Sequence, residues 1–224
     1  CFSKMNILIT GSSGLIGKLI TEGLGDKYSL TCLDRKGGVD ILTDPLGPYF
    51  TDIDTMIHLA ANPSPFIDEE EADKNVQIAK NLINASRKYG VGRIINASSI
   101  NVYPYMDLFK GGEKLTRETG LSPNLRFADG SYARAKIKVE GLFEKYCKEK
   151  KIPLLNLRLG CVTPDDMPSR SSGGHVNPLD YKIHLKHKDL IDVFKKGLSC
   201  KGISSYVCVS EKDGFVDDSV RFPI

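Results

Sequence analysis

The 224-residue sequence lacks three features that mark large classes of proteins. It has no apolar run approaching the roughly 18 residues of a membrane-spanning helix, and no apolar run of the secretory type follows its N-terminus. It also has no cationic block, because 31 Lys and Arg residues are balanced by 28 Asp and Glu residues. A nucleic-acid-binding domain would concentrate its positive charge on one face. We therefore expect a cytoplasmic protein with no membrane or nucleic-acid partner.

The cysteines and histidines form no recognisable metal or disulfide pattern. The six cysteines are scattered and include no Cys-x-x-Cys pair, so free thiols in a reducing compartment explain them better than a disulfide framework. His184 and His187 are three residues apart and follow His175, but no carboxylate or cysteine completes a ligand set with them. We expect no metal site, and we expect these histidines to be packed or solvated.

Short apolar runs alternate with longer segments of helical periodicity. The predicted strands are 6–10, 29–33, 55–59, 93–97, 153–159 and 204–209, and the predicted helices are 14–24, 69–89, 131–150 and 188–198. This alternation predicts an α/β fold, a doubly wound parallel sheet with helices on both faces. We expect one domain over residues 1–224. Segments 107–129 and 160–187, the second a small C-terminal extension, are expected to bind substrate at the carboxyl edge of the sheet.

A glycine-rich turn follows the first predicted strand and runs into a predicted helix. Glycines at its first, fourth and seventh positions permit a tight turn, let a diphosphate approach the backbone amides and allow the helix to pack closely on the strand. Strand, turn and helix in this order predict a dinucleotide-binding site of the Rossmann type. The turn residues expected to contact the dinucleotide are Gly11, Ser13, Gly14, Leu15, Ile16 and Gly17.

An acidic residue ends the second predicted strand, where such a site needs one. The Asp34 carboxylate can accept hydrogen bonds from both ribose hydroxyls of an adenosine and repels the 2′-phosphate of NADP, so we favour NAD. The neighbouring Arg35 could accept that phosphate, which leaves NADP open, and Asp34 could instead be a solvated turn residue. Asp40 and Ile41 could bound the adenine, with an ordinary loop acid as the alternative for Asp40.

A tyrosine and a lysine four residues apart lie in the predicted helix 131–150. The spacing places the Tyr132 phenol and the Lys136 ammonium on one helix face, one turn apart. A phenol with the ordinary pKa near 10 is a poor base at neutral pH, but an adjacent ammonium and a cationic nicotinamide ring would both lower that pKa. Ser99, which follows another strand, could position the reacting oxygen against Tyr132, whereas Ser98 is expected to cap the strand end. A solvent-facing Tyr–Lys pair is the alternative.

Together these motifs resemble the extended short-chain dehydrogenase/reductase superfamily. The resemblance rests on the glycine turn, His58-Leu59-Ala60-Ala61, Asn75, Ser98-Ser99 with Val102-Tyr103, and Tyr132-x-x-x-Lys136. It implies that Tyr132 is the acid and base, that Lys136 holds the cofactor ribose and lowers the tyrosine pKa, and that Ser99 orients the substrate. The further NAD(P) contacts that it implies are Leu59, Ala60, Ala61, Asn75 and Cys161. It also implies a homodimer built on helices 69–89 and 131–150.

Segments 58–65, 158–166 and 185–190 resemble the uronate dehydrogenase branch, whose members oxidise the C1 hemiacetal of a hexuronic acid to a lactone with NAD. The resemblance implies that Arg170 binds the sugar carboxylate, a task suited to a bidentate guanidinium. An exposed loop arginine is the alternative. Ser64, Ser99 and Asn101 would contact the sugar, and Asn101 stands where the branch often carries a histidine.

Three functions remain open from the sequence. An NAD-dependent dehydrogenase of a small sugar or sugar acid is the leading hypothesis. A nucleotide-sugar epimerase or dehydratase would use tightly bound NAD, but only about 65 residues follow Leu159, which we expect to be too few to grip a nucleotide diphosphate. A non-catalytic dinucleotide-sensing module is the third, and the intact set of Ser99, Tyr132 and Lys136 argues against it.

Overall fold

A parallel β-sheet organises the chain in the computed structural model, which describes residues 4–125, 129–169, 176–212 and 214–223. Within those ranges the sheet has six strands: β1 (Asn6–Thr10), β2 (Ser29–Leu33), β3 (Thr55–His58), β4 (Arg93–Ser99), β5 (Leu154–Leu159) and β6 (Ile203–Cys208). Their order is β2-β1-β3-β4-β5-β6, and all neighbours are parallel. The predicted parallel sheet is confirmed, and every strand boundary lies within two residues of its prediction.

Helices cover both faces of this sheet. They are α1 (Leu15–Leu24), α2 (Gly47–Phe50), α3 (Glu69–Tyr89), α4 (Tyr105–Lys110), α5 (Ser131–Lys150), α6 (Pro178–Lys182) and α7 (His187–Gly197). One core contains Leu82 of α3 and Phe143 of α5, and the core on the opposite face contains Ile20 of α1 and Phe194 of α7. The doubly wound fold is therefore confirmed. None of the helices in the described ranges combines the length and apolarity that a membrane span requires.

The direction of winding reverses at β1. β2 lies on one side of this strand, while β3 and the remaining strands lie on the other. In open α/β sheets a ligand crevice forms where the order reverses, outside the carboxyl ends of the strands. Here the turn after β1 is held to both neighbours, because the Gly11 N–H donates to the Leu33 carbonyl at 2.8 Å and the Leu59 N–H donates to the Thr10 carbonyl at 3.1 Å.

Two of the short helices fall in segments for which the sequence predicted no elements. α4 lies after β4 and overlaps the start of segment 107–129, and α6 lies within segment 160–187. Pro178 is the first residue of α6, where a missing N–H costs nothing, and the Asn177 side chain accepts a hydrogen bond from the Leu179 N–H at 2.9 Å. Helices of five or six residues are too short to show helical periodicity, so capping residues are their sequence signal.

His58, the last residue of β3, is buried beneath α5. Its Nδ1 atom is 3.0 Å from the Thr10 hydroxyl, and its ring packs edge-on against Phe143 with ring centroids 5.5 Å apart. Burial, with a smaller contribution from the Lys136 ammonium, lowers the pKa of His58 from 6.5 to about 3. The imidazole is therefore neutral in the folded protein at neutral and mildly acidic pH.

We expect His58 to make the fold sensitive to acid. Because its folded-state pKa is lowered, the unfolded chain binds the proton more readily between pH 3 and pH 6.5, and stability falls by about 1.4 kcal/mol per pH unit below 6.5. His58→Asn keeps an amide beside Thr10 but cannot titrate. In urea unfolding, the wild-type free energy of unfolding should fall by about 2–3 kcal/mol more than that of the variant between pH 6.5 and pH 4.5. Equal losses would contradict a buried neutral imidazole.

Candidate active site

A cleft of about 1090 Å³ runs along the carboxyl edge of the sheet. The predicted site residues that line it are Gly11, Ser13, Gly14, Leu15, Ile16, Gly17, Asp34, Arg35, Asp40, Ile41, Leu59, Ala60, Ala61, Asn75, Ser99, Asn101, Tyr132, Lys136 and Cys161. The structure thus brings the glycine turn, the acidic residue and the Ser–Tyr–Lys set to one cavity. Ser64 is different, because its neighbours Pro63 and Pro65 line the cleft while its own hydroxyl accepts a hydrogen bond from the Phe66 N–H at 3.2 Å.

Two of the three glycines in the turn are required by close backbone packing. Gly11 has a φ of +73°, and a methyl group on it would lie 2.7 Å from the Ala60 backbone nitrogen. A methyl group on Gly17 would lie 2.3 Å from the Gly11 carbonyl oxygen. Gly14 has an ordinary φ of −70°, and a methyl group there would be 3.4 Å from the nearest atom, the Gly11 oxygen. Gly14 therefore has room within the protein and borders the cleft.

The N-terminus of α1 faces this cleft through Leu15, Ile16 and Gly17. Gly14 is its N-cap, and among the described residues no side chain caps the first turn. The free amides of a helix N-terminus, together with its dipole, bind anionic groups such as a diphosphate. A glycine without a side chain at the cap leaves the approach open, so the turn fits the diphosphate of a dinucleotide.

Asp34 follows β2 and joins the glycine turn to the next loop. Its Oδ2 atom accepts a hydrogen bond from the Ser13 N–H at 3.2 Å, and its Oδ1 atom accepts one from the Lys36 N–H at 2.8 Å. The carboxylate therefore caps a local turn and also borders the cleft, with Arg35 and Lys36 beside it. Asp40 likewise accepts from the Leu42 N–H at 2.9 Å, as an ordinary loop acid does, and still lines the cleft.

Tyr132 and Lys136 project from one face of α5 into the protein. Both residues are buried, at 8% exposure each, which rules out the alternative of a solvent-facing pair. Lys136 Nζ donates a hydrogen bond to the Ala97 carbonyl at 2.8 Å and lies 5.8 Å from the centroid of the Tyr132 ring. Ala97 precedes the paired serines in β4, so this bond brings helix and strand together at the cleft.

The pKa values of this pair are displaced by burial. Burial raises the pKa of Tyr132 to about 12, and a hydrogen bond with the Ser99 hydroxyl offsets part of that rise. Burial lowers the pKa of Lys136 from 10.5 to about 8, against the influence of the Glu140 carboxylate. The predicted lowering of the tyrosine pKa by its lysine neighbour is therefore wrong for the chain's own groups. Burial of the phenol decides the direction, and the ammonium is directed to the Ala97 carbonyl.

Ser99, rather than Ser98, forms the cap at the end of β4. Ser99 Oγ accepts hydrogen bonds from the Asn101 backbone N–H at 3.2 Å and from Asn101 Nδ2 at 3.1 Å. Ser98 Oγ is buried without a hydrogen-bond partner among the described residues, so the prediction that Ser98 caps the strand is wrong. The serine predicted to position substrate therefore also terminates the strand.

Sequence reasoning missed a buried ion pair behind Lys136. Glu140, one helical turn further along α5, pairs with Arg158 of β5 through bonds of 3.0 Å (Nε–Oε1) and 2.7 Å (Nη2–Oε2). Arg158 also donates to the Tyr103 hydroxyl. The sequence signal is the spacing of Lys136, Glu140 and Phe143, which places two charged residues on a helix face that is otherwise apolar.

Asn75, which was expected to contact NAD(P), holds the loop after β3 and also lines the cleft. Its Oδ1 atom accepts from the Asn62 N–H at 2.8 Å, and its Nδ2 atom donates to the Asn62 carbonyl at 3.1 Å. This pair of bonds fixes the chain that continues from Ala60 and Ala61, which line the cleft. Asn75 therefore acts on the cavity through the backbone of its neighbour.

The histidines near the end of the cleft brace a turn. His187 Nε2 lies 2.7 Å from the Thr163 carbonyl oxygen, and the buried His184 has its Nε2 3.2 Å from the Asp166 carbonyl oxygen. The Asp166 Oδ1 atom lies 4.0 Å from His184 Nε2 and 3.8 Å from His187 Nε2. The sequence did not indicate this proximity. Across the described ranges no three His, Cys, Asp or Glu side chains are grouped to hold a metal ion. His175 and the predicted carboxylate-binding Arg170 lie outside the described residues.

Comparison with known proteins finds relatives at low identity. The chain is 27% identical over 232 residues to the uncharacterized protein YtbQ of Bacillus subtilis, covering 93% of this chain and 87% of that protein. It is 25% identical over 174 residues to an L-arabinose 1-dehydrogenase (NAD(P)(+)) of Haloferax volcanii, covering 71% and 68% of the two chains.

Two solved structures show the same fold. A mutant uronate dehydrogenase from Agrobacterium tumefaciens complexed with NAD matches with a TM-score of 0.73 and 20% identity, over 96% of this chain and 81% of that one. A UDP-N-acetylglucosamine 4-epimerase from Bacillus cereus matches with a TM-score of 0.72 and 21% identity, over 92% and 78%. At these identities the comparison supports the architecture and does not separate dehydrogenases from epimerases.

The family assignment comes from a match that spans nearly all of the site. The model of the NAD-dependent epimerase/dehydratase family matches residues 7–196, which include the glycine turn, Asp34, Ser99, Tyr132 and Lys136. This match agrees with the resemblance to the extended short-chain dehydrogenases and reductases, and the chain belongs to the NAD-dependent epimerase/dehydratase family.

Proposed function

We propose that this protein oxidises the C1 hemiacetal hydroxyl of a hexuronic acid or a related aldose to the lactone, with NAD as the hydride acceptor. The observation that carries the proposal is the convergence of Ser99, Tyr132 and Lys136 in the cleft that also holds the glycine turn. The 25% identity to an L-arabinose 1-dehydrogenase supports dehydrogenase chemistry on a sugar. The resemblance of segments 58–65 and 158–166 to uronate dehydrogenases supports a sugar acid.

The residues at the two ends of the cleft divide the work of binding and chemistry. The amides at the start of α1 would hold the cofactor diphosphate, and Asp34 would hold the adenosine ribose. NAD, when bound, would supply the hydride acceptor and the positive charge of its nicotinamide ring. The Lys136 ammonium donates one hydrogen bond to the Ala97 carbonyl. Its other N–H donors would bind the ribose that carries the nicotinamide.

Tyr132 is the proposed general base. Its phenolate would remove the proton of the C1 hydroxyl, while the Ser99 hydroxyl donates a hydrogen bond to the same oxygen as it becomes a carbonyl. General-base catalysis of this kind contributes roughly 10²–10⁴ in rate, and correct positioning of the substrate contributes further. Exclusion of water around Tyr132 and Ser99, both buried, strengthens each of these interactions.

A second candidate is epimerisation or dehydration of a nucleotide sugar with retained NAD. The observation that favours it is the family match itself, since the description of that family names epimerases and dehydratases. The two functions differ in the fate of the cofactor. Net NADH formation with free uronates or aldoses supports the dehydrogenase, whereas purified protein that retains NAD and forms no net NADH supports the epimerase or dehydratase.

Tyr132→Phe should abolish sugar oxidation and leave cofactor binding nearly intact. The change removes one oxygen, the proposed base, and retains the ring that packs in α5. We expect at least a hundredfold loss of kcat, measured as NADH absorbance with glucuronate, galacturonate and neutral aldoses, and a Kd for NAD within about twofold of wild type by calorimetry. A variant that keeps a substantial part of the wild-type rate would mean that another group is the base.

Gly14→Ala and Gly17→Ala should separate cofactor binding from folding. A methyl group at position 14 has room in the protein but borders the cleft, so we expect an unchanged melting temperature and at least about tenfold weaker NAD binding. A methyl group at position 17 collides with the Gly11 carbonyl, so we expect a melting temperature lower by several degrees. Unchanged NAD affinity in Gly14→Ala would contradict a diphosphate at this turn.

Arg170→Ala tests the proposed sugar acid. A guanidinium that binds the sugar carboxylate contributes only to uronates, so the substitution should raise KM for glucuronate or galacturonate at least about tenfold and change KM for neutral aldoses by less than about twofold. Arg117→Ala, a change of the same chemistry at an arginine that donates to the Ser219 carbonyl, serves as the control. Equal effects on both substrate classes would remove Arg170 from the proposed site.

A further inference from the structure

A chain of hydrogen bonds leads from a buried asparagine to the Ser99 hydroxyl. Asn124 Nδ2 donates to Asn101 Oδ1 at 3.2 Å, and Asn101 Nδ2 donates to Ser99 Oγ at 3.1 Å. The Asn101 backbone N–H donates to the same serine oxygen at 3.2 Å. Asn101 and Ser99 border the cleft, whereas Asn124 is buried behind them at 5% exposure. The three side chains therefore form one path that ends at the candidate active site.

Counting donors and acceptors determines what Ser99 can do. A hydroxyl oxygen accepts two hydrogen bonds and donates one, and both acceptor positions of Ser99 are used by Asn101. The remaining capacity is the O–H donor. The Ser99 side chain acts on the Tyr132 phenol in the direction that lowers the phenol pKa, as donation of a hydrogen bond to the phenolate form does. The two Asn101 donors to Ser99 Oγ and the direction of this effect together indicate that the Ser99 proton is directed toward the tyrosine.

The Asn124 amide is paired with one orientation of the Asn101 amide. Because an amide nitrogen only donates, the Nδ2 atom of Asn124 selects the orientation in which Asn101 Oδ1 faces it and Asn101 Nδ2 faces Ser99. The backbone holds the same arrangement: the Asn124 N–H donates to the Asn101 carbonyl at 2.9 Å, and the Ser122 N–H donates to the Val102 carbonyl at 2.9 Å. Asn124 is thus joined to residue 101 through both its side chain and its main chain.

We propose that Asn124 is a positioning residue which, through Asn101, keeps Ser99 as a hydrogen-bond donor, directed toward Tyr132 when no substrate is bound and toward the reacting oxygen when substrate is bound. The consequence for turnover rests on the proposed dehydrogenase function, but the orientation of Ser99 does not. Segment 107–129 would then contribute to the chemistry through Asn124, a buried residue that is not among those lining the cleft. Asn101, expected to contact the sugar, has its side-chain amide engaged between Ser99 and Asn124.

Asn124→Asp tests this polarity with almost no change in size. Both side-chain oxygens of an aspartate accept, so the Asn101 amide must turn to donate to residue 124. Its oxygen would then face Ser99, and the serine proton would be donated to Asn101 instead of Tyr132. We expect the pKa of the Tyr132 phenol to rise. This pKa can be measured without substrate by ¹⁹F NMR titration of protein labelled with 3-fluorotyrosine. The signal of residue 132 is identified as the one that is missing from the spectrum of Tyr132→Phe.

The double variant with Ser99→Ala separates this effect from the charge of the new carboxylate. If Asn124 acts through the serine proton, Ser99→Ala alone and Ser99→Ala/Asn124→Asp will have the same phenol pKa. A further rise in the double variant, or no rise in Asn124→Asp, overturns the proposal. Asn84→Asp makes the same chemical change on the exposed face of α3 and should leave the phenol pKa unchanged.

Turnover provides the second measurement. We expect Asn124→Asp to lower kcat for sugar oxidation about tenfold, the effect of one hydrogen bond, with the Kd for NAD within about twofold of wild type. If the wild type oxidises no sugar, the proposed function fails and the fluorine titration still decides the role of Asn124.

If Asn124→Asp does not fold, Asn101→Ala removes one donor to Ser99. That variant should raise the phenol pKa only when Ser99 is present, and an unchanged pKa overturns the proposal.

Discussion

The hydrogen bond from the Lys136 ammonium to the Ala97 carbonyl, 2.8 Å long and buried, is the contact on which the active-site arrangement depends. It joins the helix that carries Tyr132 to the strand that ends in Ser99. An ammonium removed from water is unfavourable unless it is hydrogen-bonded and electrostatically compensated. The carbonyl supplies the first requirement and the Glu140 carboxylate supplies the second. The burial that orders the lysine also raises the pKa of the Tyr132 phenol, so the residues of the chain alone favour its protonated form.

The two ends of the cleft are organised by different physical means. At the cofactor end the main chain does the work: Gly11 and Gly17 allow backbone segments to approach so closely that a methyl group would collide with backbone atoms. At the catalytic end the site is organised by side chains, because Tyr132 and Lys136 are buried against β4. A backbone cradle tolerates few substitutions at its glycines, whereas a buried polar cluster depends on every donor finding an acceptor.

Patterns that repeat along the chain made the fold predictable, and contacts between distant segments limited the prediction of the site. Continuous apolar strands and long amphipathic helices carry their own signal, and so does the glycine turn. The burial of Lys136 does not, because a charged residue in a helix is usually solvated, and only its distant acceptor at Ala97 makes burial tolerable. Asn124 carries no local signal at all, since its role depends on the position of Asn101, 23 residues earlier. Short helices such as α4 were missed because they complete too few turns.

For two of the predicted site residues, the local structural role and the functional role are compatible, because the two roles use different atoms. Ser99 uses its oxygen lone pairs to accept from Asn101 and end the strand, and this leaves its proton as the group that can act on another oxygen. Asp34 accepts from the Ser13 and Lys36 amides to hold two turns together, and each carboxylate oxygen retains further acceptor capacity at the cleft. Capping a strand or turn therefore orients such a side chain for function. The ordinary structural explanation of a polar residue at the carboxyl edge of the sheet is not an argument against its role in binding or catalysis.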